Sequence, residues 1–439
     1  MASYPKIYTN AVIIGGGLMG MTLAYRASLA GLDSVVIEGS RIGNCHYATG
    51  LWSPRSDYIP KDMDEVIRTD AECAVWRDMF PGIFVPQKFI IPFNSSVPHE
   101  FESFLALLEL YEKVTPKRSK ALPGPCFILG GSQLEISEPN LKKGMFDRAL
   151  CLYEFTADLD IVNRLLWSRI FSMGHSLKFF SKNSIKFSSV GNSITGLHFV
   201  DDQNRHVDIR GTHGNLVIVN VAGPWMNDVA SGLGIRFPVD LYSGIQISLN
   251  MKGYLNSNVI LFDEHGKYII AMPKKDHLQV GPSNAKIKGF MDDFIEDRNE
   301  IMRQAEDMKR NVLKIMKPGY EDVDLKIKAV GARVKLSLPF KIDSNRPIVF
   351  DINDIGIENY FAVYPGKLPS AFRAAEGLLK VIQDRGFIKS YPKFKSSKGI
   401  LISSKRSINM LRLLLEKIKS LMAIGSFILL RRFWPNKNK

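Results

Sequence analysis

A glycine-rich turn close to the N-terminus restricts the fold of this chain more than any other sequence feature. Residues 13–20 read Ile-Ile-Gly-Gly-Gly-Leu-Met-Gly, so Gly15, Gly17 and Gly20 have the spacing G-x-G-x-x-G. A short β-branched run precedes the turn, apolar residues at helical spacing follow it, and a second apolar run comes at residues 34–37. The sequence therefore predicts a β-α-β unit of the Rossmann type at the start of the chain.

This β-α-β pattern is typical of a site for the pyrophosphate of a dinucleotide. Gly15 permits the tight turn, Gly17 lets the backbone approach the phosphates, and Gly20 lets helix and strand pack closely. The N–H groups at the start of the helix stabilise the phosphate charge. Glu38 ends the second strand, where a carboxylate accepts hydrogen bonds from the ribose hydroxyls and disfavours NADP. The pattern fits both FAD and NAD, and the predicted binding residues are Gly15, Gly17, Leu18, Met19, Gly20, Glu38, Gly39 and Ser40.

The length and composition indicate a globular protein with more than one domain. At 439 residues the chain is longer than the roughly 250–300 residues at which a single core stops growing. Apolar residues make up 45% and charged residues 23%, which excludes a disordered or fibrous chain.

The net charge of +14 is concentrated at one end of the chain. Residues 389–439 contain 13 Lys or Arg and the single acid Glu416, whereas residues 1–388 contain 45 basic and 43 acidic groups. A nucleic-acid enzyme normally spreads its basic surface over the folded body. The nearly neutral body therefore argues against a nucleic-acid partner and predicts a basic tail with its own role.

The cysteines and the first residues bear on the cellular compartment. Cys45, Cys73, Cys126 and Cys151 form no CxxC pair and no zinc-ligand spacing, so no metal site is predicted. Such sparse cysteine usage suits a reducing compartment. The first ten residues lack the apolar stretch of a secretory signal, and a cytoplasmic protein is expected.

Strand patterns dominate the middle of the chain, and helical patterns follow. Short apolar runs separated by polar or glycine-containing turns lie at residues 194–200, 216–221, 246–249, 259–262, 268–272 and 277–280. Helical periodicity marks residues 291–316, and strand patterns lie at 347–350 and 360–363. A further helix is predicted over residues 369–385, with Pro369 in its first turn and Gly386 after its end. The sequence thus predicts an α/β fold whose folded body ends near Phe387.

Several weak motifs in order extend this interpretation. They are the glycine turn, residues 220–225 (Asn-Val-Ala-Gly-Pro-Trp) with Asp228, and residues 361–368 (Phe-Ala-Val-Tyr-Pro-Gly-Lys-Leu) ahead of Arg373 and Glu376. Together they resemble the D-amino-acid oxidase superfamily of FAD-dependent oxidoreductases, and in particular its FAD-dependent glycerol-3-phosphate dehydrogenases. The resemblance spans residues 10–385.

The resemblance implies where FAD and the domains lie. The adenine end of FAD is expected at Gly15 to Glu38 and the flavin ring under Gly366, Lys367 and Leu368. Ala222 and Gly223 are expected to bind the cofactor as well. Cys45 and His46 fall in the segment that passes the flavin, and a covalent link through one of them is an open alternative. The expected FAD-binding domain, of Rossmann type, is discontinuous (1–75, 156–228 and 331–388). A substrate domain with a mixed or antiparallel sheet takes up residues 76–155 and 229–330, and an amphipathic basic tail residues 389–439.

Departures from the resemblance concern the substrate. The dehydrogenases carry Gly-Gly-Leu-Arg-Tyr where this chain reads Thr-Gly-Leu-Trp-Ser at residues 49–53, without the phosphate-directed arginine. Their Gly-Ser-His turn becomes Gly-Ile-Gln at 244–246, and glutamine cannot act as a base. Arg333 and Arg346 are the candidates for anchoring an anionic group, because a guanidinium binds carboxylate or phosphate through two parallel hydrogen bonds. Lys367 is the candidate for stabilising the reduced flavin.

The expected activity is oxidation of a small hydroxylated substrate, with or without a phosphate group, by hydride transfer to flavin N5. An amine or amino-acid oxidase of the same superfamily is one alternative, and a flavin-binding protein that has lost catalysis is another.

The tail combines basic and apolar residues. Residues 420–430 are uncharged but too few to span a bilayer, which needs about 20. An interfacial amphipathic helix fits the pattern, with Leu411, Leu414, Ile418 and Phe427 on its apolar side. The predicted partners are a small-molecule substrate and a membrane surface, and the resemblance implies a membrane quinone as electron acceptor.

Overall fold

The computed structural model describes residues 6–39, 51–52, 63–94, 105–106, 126–174, 176–181, 185–262, 268–320, 322–337 and 347–388. All of them belong to one unit, Met1–Pro392. The predicted site residues Ser40, Cys45, His46 and Arg346, and the basic tail, lie outside the described residues.

The helices and strands below carry labels in chain order. The helices are α1 (Leu18–Leu29), α2 (Met63–Met79), α3 (Gly131–Ser137), α4 (Leu159–Met173), α5 (Met226–Ser231), α6 (Met291–Glu296), α7 (Arg298–Leu313) and α8 (Ala371–Asp384). Short 3₁₀ turns lie at Gly223–Trp225, Ile352–Ile355 and Leu368–Ser370. The strands are β1 (Lys6–Thr9), β2 (Ala11–Ile14), β3 (Ser34–Gly39), β4 (Leu51–Trp52), β5 (Val85–Phe93), β6 (Phe127–Gly130), β7 (Arg148–Thr156), β8 (Ser176–Ser181), β9 (Lys186–Val190), β10 (Ser193–Val200), β11 (His206–Gly211), β12 (Val217–Asn220), β13 (Val239–Ser243), β14 (Gln246–Leu249), β15 (Asn258–Phe262), β16 (Tyr268–Pro273), β17 (Leu278–Gly281), β18 (Leu325–Ala329), β19 (Ala332–Leu336), β20 (Ile348–Asp351) and β21 (Tyr360–Tyr364).

A six-stranded sheet contains the predicted β-α-β unit, in the order β20-β21-β12-β2-β3-β8. The strands from β21 to β8 are parallel to one another, whereas β20 runs antiparallel to β21. Ile13 lines a small cavity with Leu23 of α1 and Leu379 of α8. Val12 and Ile14 instead share a core with the sheet β1-β11-β10-β9. The central strands are almost wholly apolar because both of their faces are covered.

A second large sheet has nine strands. Its order is β18-β14-β17-β16-β15-β5-β7-β4, with β6 also paired to β7. Most neighbours are antiparallel, but β15 is parallel to β5. Apolar residues of α6 and α7 pack in the core beneath this sheet. The predicted mixed α/β class is confirmed, and the five domain boundaries stay predictions.

Two helices differ from their sequence predictions. The helical periodicity over residues 291–316 corresponds to two helices, because the Asp297 side chain accepts from the Glu300 N–H and starts α7 anew. The helix predicted over residues 369–385 begins with a 3₁₀ turn that has Pro369 near its start, and α8 follows from Ala371. In the part of the chain that the structure describes, no helix is long and apolar enough to cross a membrane.

Candidate functional site: the carboxyl edge of the parallel sheet

The glycine turn after β2 leaves no room for side chains. Gly15 has φ +117°, which favours glycine, and its N–H donates to the Ile37 carbonyl at 2.7 Å. A Cβ on Gly20 would lie 1.8 Å from the Gly15 carbonyl oxygen, so α1 touches the turn itself. A Cβ on Gly16 would lie 2.0 Å from Glu38 Oε2, and this role of Gly16 has no place in the G-x-G-x-x-G pattern.

The start of α1 presents main-chain donors. Gly17 is the N-cap in extended conformation, no side chain among the described residues caps the helix, and no acidic residue lies in its first turn. The side chains of Leu18 and Met19 are buried, so these residues can meet a ligand through the backbone. Uncapped N–H groups with the positive end of the helix dipole suit a pyrophosphate.

Glu38, at the end of β3, is a buried acid. Its side chain lies against Gly16 and is 9% exposed. Burial raises its pKa to about 7, although Lys178 and the N–H groups of Gly16 and Gly39 lower it. The sequence interpretation treats Glu38 as ionised, but in the folded protein it is only partly ionised near neutral pH. A ribose whose hydroxyls donate to the carboxylate would supply the polar partners that burial removes.

Glu38→Gln is therefore expected to stabilise the FAD-free protein at alkaline pH. Because the pKa of Glu38 is raised in the folded protein, the stability contributed by its neutral side chain is fully present below about pH 4.5. This contribution is lost as pH rises through 7, where the buried group ionises. The gain of the glutamine variant over wild type should grow across this window to about 3 kcal/mol above pH 8. Urea unfolding of both proteins between pH 4.5 and 8.5 measures the difference in free energy of unfolding. A difference that does not change with pH would show that ionisation of Glu38 does not destabilise the fold.

A cavity of about 510 Å³ opens beside the turn, between α1 and α4. Gly16, Met21, Asn163, Trp167 and Lys178 are among the residues that line it. Lys178 comes into reach of Glu38 because β8 pairs in parallel with β3. No local motif marks Asn163, Trp167 or Lys178, since their position depends on this strand pairing.

The other predicted cofactor residues follow neighbouring strands at the same edge. β12 pairs in register with both β2 and β21, so Ile14, Asn220 and Ala362 stand side by side. Ala222 donates its N–H to Asn220 Oδ1 at 3.1 Å, and Gly223 has φ +58°. The structure thus brings the glycine turn, Ala222-Gly223 and the turn after β21 together, at the edge where ligands bind in open parallel sheets.

The turn after β21 is bound by a side chain of helix α2. Gly366 has φ +71°, and Lys367 precedes the 3₁₀ turn at Leu368. The indole Nε1 of Trp76, a fully buried residue, donates to the Pro369 carbonyl at 3.0 Å.

An ion pair joins α2 to α8, just after this turn. Arg373 Nε lies 2.9 Å from the Glu72 carboxylate, and its guanidinium also donates to Ser370 Oγ at 2.9 Å. Glu72 is buried, so the pair is shielded from water. Trp76 and Glu72 thus fix the turn that carries Lys367.

Arg333 lies on β19, opposite Tyr242 of β13. Its guanidinium donates to the Ser283 carbonyl at 2.6 Å, while its Nε is buried without a hydrogen-bond partner among the described residues. Strand β19 packs near the 3₁₀ turn Gly223–Trp225. Arg333 is therefore oriented by main-chain carbonyls close to one end of the predicted cofactor site.

Gln246 offers no base near this region. It is buried, and its Oε1 accepts from Gln279 Nε2. An amide pair of this kind holds two strands together and does not take up a proton near neutral pH. Proton removal from a substrate would need another group or a water molecule.

Comparisons with known proteins add a family and a fold. The sequence matches the family DAO, described as FAD dependent oxidoreductase, over residues 10–352. It is 22% identical to the aerobic glycerol-3-phosphate dehydrogenase of Staphylococcus aureus over 284 residues, which are 63% of this chain and 50% of that protein. The chain therefore spans about half the length of the curated relatives it matches.

Solved structures resemble the fold at low sequence identity. The glycerol-3-phosphate dehydrogenase of Bacillus halodurans, complexed with FAD, has a TM-score of 0.62 and 16% identity, covering 95% of this chain and 73% of that chain. The glycine oxidase of Geobacillus kaustophilus has a TM-score of 0.60 and 12% identity, covering 91% of this chain and 100% of that chain. At these identities the likeness concerns the fold alone.

Proposed function

The chain belongs to the FAD-dependent oxidoreductase family, and on this premise we propose that it is a dehydrogenase of a small hydroxylated substrate with an anionic group. The resemblance seen in the sequence motifs and the prediction of FAD as cofactor are both confirmed by this membership. Arg333 carries the proposal for the substrate, because it is a cation held by main-chain carbonyls next to the cofactor edge.

The residues at the carboxyl edge fit FAD. Gly15 and Gly20 let the turn and α1 lie in close contact, the start of α1 supplies N–H donors, and Glu38 is placed for a ribose. When bound, FAD accepts a hydride from the substrate carbon. Lys367 and the start of the turn at Leu368 would stabilise negative charge on the reduced ring. Trp76 and Glu72 hold that turn in place.

Arg333→Ala is expected to weaken substrate capture while FAD stays bound. Removal of a partly buried cation that binds an anion should lower kcat/KM by about thirtyfold, or roughly 2 kcal/mol. Arg333→Lys keeps the charge but loses the planar fork of donors, so its kcat/KM should lie between those of wild type and Arg333→Ala. The rate of flavin reduction against substrate concentration measures the effect, and an unchanged kcat/KM in Arg333→Ala would assign Arg333 a structural role.

An amino-acid oxidase is the second candidate. Arg333 could hold the carboxylate of an amino acid equally well, because guanidinium binds carboxylate and phosphate alike. The likeness in fold to glycine oxidase supports this second candidate. A flavin-binding protein that has lost catalysis is the third candidate. Substrate-dependent reduction of the flavin separates the three.

The basic tail is proposed to bind the protein to a membrane surface. Residues 389–439 combine 13 basic residues with apolar positions at helical spacing. Each basic residue near an anionic surface contributes about 1 kcal/mol, which together exceeds the marginal anchoring of a short apolar helix. Electrons could then pass from the flavin to a quinone in the membrane.

A chain truncated after Lys389 should lose membrane binding. The full chain is expected to sediment with vesicles that contain anionic lipid, and added salt should release it, because screening weakens the attraction. The truncated protein should stay in the supernatant and keep its FAD. Equal sedimentation of the two forms, or of neither, would exclude the tail as the anchor.

A further inference from the structure

A polar surface surrounds Arg333 on the β13–β19 ribbon. Tyr242 lies opposite Arg333, and Asp240 lies opposite Lys335, so these four side chains share one face of the ribbon. Residues 285–287 pair with the other edge of β13 through main-chain hydrogen bonds, and Lys286 forms an antiparallel β-bridge with Tyr242. We call Arg333, Lys335, Tyr242 and Asn284 the basic face.

Two cations of the basic face converge on the segment that contains Ser283 and Asn284. Arg333 donates to the Ser283 carbonyl at 2.6 Å. Lys335 Nζ lies 4.1 Å from the centroid of the Tyr242 ring and 3.4 Å from Asn284 Oδ1. Because Asn284 Oδ1 faces Lys335, the Asn284 amide group can donate to a ligand through Nδ2. Tyr242 adds a hydroxyl to this set of donors.

The single acid on the ribbon opposite Lys335 is already engaged. Asp240 binds Lys286 at 3.0 Å, at the exposed side of the ribbon. Of the charged side chains Asp240, Lys286, Arg333 and Lys335, three are cationic and one is acidic. The basic face therefore has more positive charge than one carboxylate would neutralise.

From this geometry we propose that Lys335 is a specificity-determining residue that selects substrates with two negative charges. The proposal rests on the proposed function, in which Arg333 anchors the anionic group. A monocarboxylate satisfies the guanidinium of Arg333 by itself. A phosphate ester carries about −1.5 to −2 charges near pH 7 and several acceptor oxygens, and a dicarboxylate carries its second charge on a separate group. Either dianion gives Lys335, Tyr242 and Asn284 an acceptor that a monoanion lacks.

Anion binding to the FAD-bound full chain tests the proposal. The probes are inorganic phosphate, malonate and acetate, and the dissociation constants come from the change in flavin absorbance on titration at constant ionic strength. Wild type should bind at least one of the two dianions more tightly than acetate. Lys335→Met should weaken binding of that dianion about tenfold, the loss of one charge-assisted hydrogen bond, and leave acetate unchanged. If Lys335→Met weakens the binding of phosphate, the site binds phosphates, and if it weakens the binding of malonate, the site binds dicarboxylates.

The double variant Lys286→Met with Asp240→Asn is the matched control. It removes a neutral ion pair from the same ribbon and leaves the net charge unchanged, so anion binding should stay as in wild type. The basic tail is present in every variant and cancels in the comparison. Equal dianion binding by wild type and Lys335→Met, or acetate binding as tight as dianion binding in wild type, would overturn the proposal. If Lys335 selects dianions but no hydroxylated compound reduces the flavin, the proposed function fails and the selective site stands.

Discussion

Gly20→Ala should abolish FAD binding and lower the free energy of unfolding by about 1–3 kcal/mol, the usual cost of an overpacked site. The new Cβ would lie 1.8 Å from the Gly15 carbonyl oxygen, which is main chain and cannot rotate away. The helix α1 must then move away from β2. Its N–H groups leave the position from which they can reach a pyrophosphate, so the yellow cofactor should be missing from the purified variant.

Gly377→Ala provides the matched control for this prediction. Gly377 also lies within a helix, but the nearest atom to an added Cβ is Val349 Cγ2 at 3.8 Å, an ordinary contact. Alanine should raise stability there by about 0.5–1 kcal/mol, because it has the higher helix propensity, and FAD should stay bound. FAD content and urea unfolding measure both variants. If Gly20→Ala retains FAD at wild-type occupancy, α1 does not bind the pyrophosphate as described.

Glu376→Leu is expected to destabilise the protein by about 3–5 kcal/mol, because it leaves a buried cation without its anionic partner. Arg26 of α1 is 2% exposed and pairs with Glu376 of α8, which is 14% exposed. Arginine keeps its proton in proteins, so Arg26 cannot escape by neutralisation. The pair joins α1 and α8, which follow the two turns predicted to meet the ends of FAD.

The double variant Arg26→Leu with Glu376→Leu separates charge burial from packing. It should recover much of the loss, because both charges leave the interior together. Arg310→Leu is the surface control, since Arg310 pairs with Asp307 on an exposed side of α7 and should change stability by about 1 kcal/mol or less. Chemical unfolding of all variants decides the matter, and a Glu376→Leu protein as stable as wild type would show that other groups compensate Arg26.

Local sequence patterns are sufficient for the elements that carry the cofactor site. The strand predicted before the glycine turn and the strand predicted at residues 360–363 are found at Ala11–Ile14 and Tyr360–Tyr364. These strands are central and buried, so their sequences are almost wholly apolar and bounded by turn residues. The glycine turn can be predicted equally well, because the close contact between α1 and the turn after β2 excludes every residue with a Cβ at position 20.

Contacts between distant segments could not be predicted in this way. Trp76 and Pro369 are separated by 293 positions, and neither has a local motif that points to the other. The position of Glu38 follows from the strand pattern, but its raised pKa depends on burial that only the folded chain creates. The role of Arg333 as an anion anchor stays a prediction, and the nearness of Lys335 to Asn284 required the pairing of β13 with β19 and with residues 285–287.

Anaerobic reduction of the bound flavin tests the central claim most directly. The purified FAD protein is mixed without oxygen with hydroxy acids, polyol phosphates, sugar phosphates and amino acids, and the loss of flavin absorbance is followed. A dehydrogenase of small hydroxylated anions should lose its colour with at least one hydroxylated anion and keep it with the amino acids. Bleaching by amino acids alone, or by no compound in the panel, would contradict the account.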